Sequence, residues 1–125
     1  TVFEADLLVT DWSGIAYEYA FTTNKPVLFV DTPMKVMNPE YQKIDTVPIN
    51  IWMRDVIGDR LDPAKTEETE SKVRNLLEQK NAYHDRIEKF VEEYVYNLGN
   101  SAEVGAKYIV QAVQEQIKKQ KNNKL

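Results

Sequence analysis

The fold is decided by residues 6–31. They begin Asp6-Leu7-Leu8-Val9-Thr10-Asp11-Trp12-Ser13-Gly14-Ile15 and end Lys25-Pro26-Val27-Leu28-Phe29-Val30-Asp31. Each end of this stretch is a short, branched apolar run closing on polar residues, which favours a buried strand over a helix. Two continuously apolar strands imply a sheet covered on both faces, and that points to parallel α/β packing. Between them Ile15, Ala16, Tyr19 and Ala20 fall at helical spacing. Asn24-Lys25-Pro26 stops that helix, because the residue before a proline avoids the helical region. Residues 6–31 therefore read as one β-α-β unit with a right-handed crossover.

Working outward, residues 32–62 carry Pro33, Pro39 and Pro48, which break any long regular element. Most of this stretch reads as loop. Ile49-Asn50-Ile51-Trp52 alternates weakly as a short strand would, and 54–57 suit a helical turn closed by Gly58. Tyr41 and Trp52 either fold over a ligand or fill gaps beneath the loop. From Asp62-Pro63 the pattern is helical, with Asp62 as N-cap and Pro63 at the first helical position. Glu67, Glu68 and Glu70 suit the positive end of that helix and need no metal. Val73, Leu76, Leu77, Tyr83, Ile87, Phe90, Val91, Tyr94, Val95 and Leu98 form an apolar stripe that Lys80-Asn81 interrupts, giving two helices or one bent one. The stripe is core or a face that docks on another domain. Gly99 stops the stripe. Asn100 and Glu103 resemble a capping pair. A last helix shows Ala102, Ala106, Ile109, Val113 and Ile117 on one face. The expected organisation is 1–62 as β-α-β unit plus loop, 63–120 as helices and 121–125 as a lysine-rich tail.

The chain has 125 residues, room for one domain. No apolar run approaches the ~18 residues of a membrane span. With no cysteine and one histidine, His84, the sequence lacks thiolate sites and the usual catalytic metal clusters. His84 suits a surface or boundary position. The net charge is −4, although residues 118–125 hold four lysines and no acid. The acidic body excludes nucleic acid as the main partner. Lys118, Lys119, Lys121 and Lys124 either touch anionic lipid or form an ordinary solvated helix end. Only two or three strands are found, where a free-standing doubly wound sheet has about four to six. The chain is thus expected to be the C-terminal part of a larger α/β domain.

The chemistry concentrates at Thr10-Asp11-Trp12-Ser13-Gly14-Ile15, where a strand ends and a helix begins. Open α/β sheets bind ligands at the carboxyl ends of their strands, and the unpaired N–H groups of a helix N-terminus seat anions. Ser13 can donate its hydroxyl to a phosphate oxygen, Gly14 lets the backbone approach closely, and Asp11 can orient the loop or accept from a ribose hydroxyl. The plainer alternative is that Asp11 or Ser13 caps the helix. A nucleophile elbow and a Walker loop both lack their defining residues here.

Residues 5–20, followed by Lys25-Pro26-Val27-Leu28-Phe29, resemble the CDP-glycerol glycerophosphotransferase family of teichoic acid and capsule biosynthesis. Trp12 stands where the family has tyrosine, and Gly14 replaces a second serine. Residues 96–102 resemble the turn before such enzymes' last helix. The resemblance implies a partial Rossmann-like fold, the C-terminal domain of a GT-B architecture, with the active site shared with a preceding domain. It implies a CDP-glycerol-like donor whose diphosphate is lined by Thr10, Asp11, Ser13 and Gly14, with Glu18 at the ribose or supporting the loop. No cofactor is implied. The family's catalytic histidines precede this segment, so no catalytic residue is assigned and the chain alone is expected to be inactive. It also implies a cytoplasmic enzyme, at the inner membrane face if the lysines bind lipid. The alternatives are a GT-B sugar-nucleotide glycosyltransferase and a non-enzymatic α/β interaction module.

Overall fold

A computed structural model describes residues 1–34, 36 and 38–122. The chain divides into two compact units, Thr1–Val91 and Glu92–Leu125.

In the first unit the β-α-β reading of residues 6–31 is borne out, with tighter limits. Strand β1 is Leu8–Thr10, helix α1 is Ile15–Thr23 and strand β2 is Val27–Val30. Asn24 takes a left-handed backbone (φ 53°) and donates its N–H to the Ala20 carbonyl, which ends α1 just before Lys25-Pro26. After β2 come two short helical turns, α2 (Ile49–Trp52) and α3 (Arg54–Ile57), then strand β3 (Gly58–Leu61). The described strands form one parallel sheet ordered β1-β2-β3, with Leu8 opposite Val27 and Val27 opposite Gly58. The result is an α/β fold, consistent with part of a Rossmann-like domain.

Consecutive strand residues face opposite sides of a sheet. Val27, Leu28 and Phe29 are all buried, so β2 is covered on both faces. Ala16, Tyr19 and Ala20 of α1 belong to the same core. Helices α4 (Thr69–Glu78) and α5 (Lys80–Tyr94) add Leu76, Tyr83, Ile87 and Phe90. Phe90 stacks on Phe21 with ring centroids 5.8 Å apart and meets Trp52 edge-on at 5.6 Å. Of the stripe read across 73–98, Leu76, Tyr83, Ile87 and Phe90 are core and Val73 and Val91 pack against it, while Leu77, Tyr94 and Leu98 are exposed.

Three local readings differ. Residues 49–52 form a helical turn rather than a strand, because the chain turns at Pro48, whose carbonyl accepts from the Ile51 N–H at 3.0 Å. β3 carries charge at its centre, which hid it. Asp59 is paired with Lys72 (2.9 Å), and Arg60 with Asp55 (2.7 Å). Asp62-Pro63 opens a turn instead of a helix. The Asp62 carboxylate accepts from the Ala64 N–H at 2.9 Å, Thr66–Glu68 forms a 3-10 turn, and α4 starts at Thr69. The break expected at Lys80-Asn81 is real and falls at Gln79, between α4 and α5.

In the second unit, Asn97 (φ 56°) and Gly99 (φ 81°) shape a turn in which the Asn100 N–H reaches the Asn97 carbonyl at 3.0 Å. Helix α6, Ser101–Asn122, follows and buries none of its residues. Its expected apolar face, including Ile109, Val113 and Ile117, is exposed. Lys118, Lys119 and Lys121 lie near its end, and Lys124 lies outside the described residues. No helix among the described residues is long and apolar enough to cross a membrane.

Candidate functional site

The loop between β1 and α1 lies at the carboxyl end of the sheet. Asp11, Ser13, Gly14 and Glu18 are exposed, and Thr10 is half-buried. Gly14 is the N-cap of α1, and no side chain caps the helix. The first turn closes through backbone alone, with Ala16 N–H to the Ser13 carbonyl at 3.2 Å and Tyr17 N–H to the Gly14 carbonyl at 3.1 Å. The N–H groups of Ser13, Gly14 and Ile15 have no hydrogen-bond partner among the described residues. Capping by Asp11 or Ser13 is therefore not what the structure contains. Their polar groups and three backbone donors stay open at the positive end of the α1 dipole, an arrangement suited to an anion.

Trp12 is the loop's anchor. Its Nε1 donates to the Thr32 carbonyl at 2.7 Å, tying the loop to the end of β2. Behind it lies Arg54, a residue that sequence reasoning missed. Arg54 is fully buried, its guanidinium 3.8 Å from the Trp12 ring centroid and 4.8 Å from that of Phe29. Nη1 donates to Asp31 at 2.9 Å. Nε and Nη2 are buried with no hydrogen-bond partner among the described residues, so the two rings supply much of what offsets their desolvation. Helical spacing held the available signal: Arg54 stands beside Met53 and three residues before Ile57, both buried.

Beside Trp12 a cavity of about 240 Å³ opens, whose walls include Tyr41, Pro48, Ile51, Asn38 and Asn50. Tyr17 of α1 donates its hydroxyl to the Asn50 carbonyl at 3.3 Å. Burial pushes the Tyr17 phenol above its ordinary value, against the opposing effects of the Arg54 charge and the Asn50 contact, so it serves as a neutral donor. Trp52, read together with Tyr41, packs on Phe90 instead. His84 lies away from this loop, its half-exposed ring 3.4 Å from the Asn24 amide and 3.5 Å from Asp85.

The fold and site define a parallel α/β protein with an open, donor-rich loop at the carboxyl end of its sheet. The chain belongs to the CDP-glycerol:poly(glycerophosphate) glycerophosphotransferase family, whose model matches residues 1–114. No curated protein and no solved structure gives a significant match.

Proposed function

We propose that the chain is the donor-nucleotide-binding part of a transferase that moves glycerophosphate, or a related group, from a CDP-linked donor to a cell-wall or capsule polymer. The observation that carries this reading is the loop of residues 11–14, with three N–H groups at the start of α1 that have no partner among the described residues, in a chain of this family. The donor's diphosphate sits on those N–H groups and the Ser13 hydroxyl, with Thr10 and Gly14 lining it. Asp11 would repel a phosphate, so it takes a ribose hydroxyl. Glu18, one turn into α1, is exposed and stands at the ribose or supports the loop.

In the reaction an acceptor hydroxyl attacks the phosphorus that carries glycerol. A new O–P bond forms, the bridging P–O bond to the nucleotide breaks, and CMP leaves. The positive end of α1 stabilises the charge that grows on that leaving group. The acceptor's proton passes to a base outside this chain, in the preceding GT-B domain that the family resemblance implies. The same reading puts the protein in the cytoplasm, with the lysine-bearing end of α6 available to an anionic membrane face.

The test is titration of the full chain with CDP-glycerol and, separately, with a UDP-sugar, followed through amide NMR signals. CDP-glycerol is expected to shift Asp11, Ser13, Gly14 and Ile15 at lower concentration than the UDP-sugar. A response to the UDP-sugar alone would replace this reading with a sugar-nucleotide glycosyltransferase. No response to either would leave a non-enzymatic module.

A further inference from the structure

We infer that Arg54 is a positioning residue for the β1–α1 loop: acting through the Trp12 ring, it sets how tightly the N–H groups of Ser13, Gly14 and Ile15 hold a diphosphate. This rests on the proposed donor reading and deepens it, from which groups meet the donor to what holds them ready.

The front of the loop is unsupported. No side chain caps α1, and a Cβ placed on Gly14 would meet nothing within 4 Å. The support comes from Trp12, whose peptide link to Ser13 carries the first open N–H. The Trp12 Nε1 donates to the Thr32 carbonyl at 2.7 Å. A hydrogen bond of this kind fixes one direction and leaves the ring free to swing about it. The Arg54 guanidinium, lying over the ring 3.8 Å from its centroid, closes off that swing. The same guanidinium is anchored on the β2 side, by the Phe29 ring at 4.8 Å and by Asp31 at 2.9 Å. Trp12 is thereby clamped to the sheet.

Stability alone is a weak reason for an arginine at this position. Its Nε and Nη2 are buried without a hydrogen-bond partner among the described residues, a cost that an apolar side chain of similar size avoids. Methionine would fill the space, but its flexible torsions define no plane. Lysine would keep the charge as a point, unable to cover a ring and hold a carboxylate together. Arginine supplies a flat cation that does both. Donors held in place before a ligand arrives bind it more tightly, because less order is lost on binding.

Inorganic pyrophosphate and CDP-glycerol would each be titrated by NMR into the full chain as wild type, Arg54→Met, Trp12→Leu and the double variant, below the melting temperature of each. Arg54→Met is expected to weaken both ligands about fivefold, the scale of one weakened hydrogen bond, while the protein stays folded. It is also expected to speed hydrogen exchange of the Trp12 indole N–H. Trp12→Leu is expected to weaken both ligands as well, and adding Arg54→Met to it to cost nothing more, because the route through the ring is already gone. A role in packing alone would lower the melting temperature and leave affinity unchanged; that result would overturn the positioning role while the donor reading stands. Equal losses from Arg54→Met with and without the Trp12 ring would also overturn it, since Arg54 would then act by another path. If Trp12→Leu does not fold, the indole exchange decides: weaker binding with faster exchange supports the inference, and weaker binding with unchanged exchange overturns it. If the wild type binds neither ligand, the donor reading falls and the inference falls with it.

Discussion

The Arg54 guanidinium is pressed against the Trp12 ring at 3.8 Å while its Nη1 holds Asp31 at 2.9 Å. One buried side chain from α3 thus fixes the loop after β1 and the first residue after β2 together. The loop's open donors keep their geometry because this contact, and the Trp12–Thr32 hydrogen bond, hold it from behind.

Arg54→Ala should lose about 3 kcal/mol of stability, because it empties a closed space beneath two rings. Arg54→Met, which keeps most of the volume, should lose about 1 kcal/mol or less. The asymmetry follows from Asp31, which is 38% exposed and takes water when its partner goes. Urea denaturation of the two variants measures this. Equal losses would show that the ion pair, and not packing, carries the contribution.

What was legible in the sequence had a simple periodic cause. The β-α-β unit showed itself because Val27–Val30 is apolar throughout, as a strand of a covered sheet must be, and because Leu8-Val9 repeats the pattern; β1 itself is less covered than that pattern implied, with Val9 50% exposed. β3 was invisible because Asp59 and Arg60 occupy its centre, and only the three-dimensional pairs with Lys72 and Asp55 accommodate them. Residues 49–52 alternated as a strand does, yet the turn made at Pro48 outweighed four residues of pattern. The loop 11–14 was legible as a place; that no side chain caps α1 was not, because Asp11 and Ser13 are both good capping types. Arg54 escaped because a single arginine in a charged-apolar stretch reads as surface until its helical neighbours are counted.

Gly58→Ala should be severely destabilising. A Cβ at this position would lie 1.8 Å from the Val27 carbonyl oxygen, and backbone cannot move aside as a flexible side chain can. The β2–β3 pairing, in which Val27 faces Gly58, would have to open. The cost should reach about 3 kcal/mol or prevent folding. Thermal unfolding followed by circular dichroism measures it, and a melting temperature like the wild type's would contradict the strand pairing.

Stability should fall in alkaline solution through Tyr17, which is partly buried, and Tyr19, which is buried. Burial raises the Tyr17 and Tyr19 phenols above the ordinary 10.0 in the folded chain. The folded state therefore holds these protons more tightly than the unfolded state does. Their contribution is fully present below that value and is lost as pH rises through it and beyond. Tyr19 is fully buried and donates to the Ala5 carbonyl at 2.9 Å, so an ionised phenolate would lose that bond. Thermal melts across this range should show Tyr19→Phe, corrected for its own neutral-pH loss, declining less steeply than the wild type.

Ser13→Ala should separate binding from stability. Ser13 is exposed, and its side chain caps nothing, so the folding free energy should change by less than about 0.5 kcal/mol. Its hydroxyl is proposed to donate to a donor phosphate, and removing one such hydrogen bond weakens affinity by about 1 kcal/mol, near fivefold. The backbone N–H groups of 13–15 stay in place, which is why binding should weaken and not vanish. Calorimetric titration with CDP-glycerol, beside urea denaturation of the same variant, measures both quantities. Unchanged affinity with unchanged stability would remove Ser13 from the donor site and leave the backbone groups as the whole of the phosphate seat.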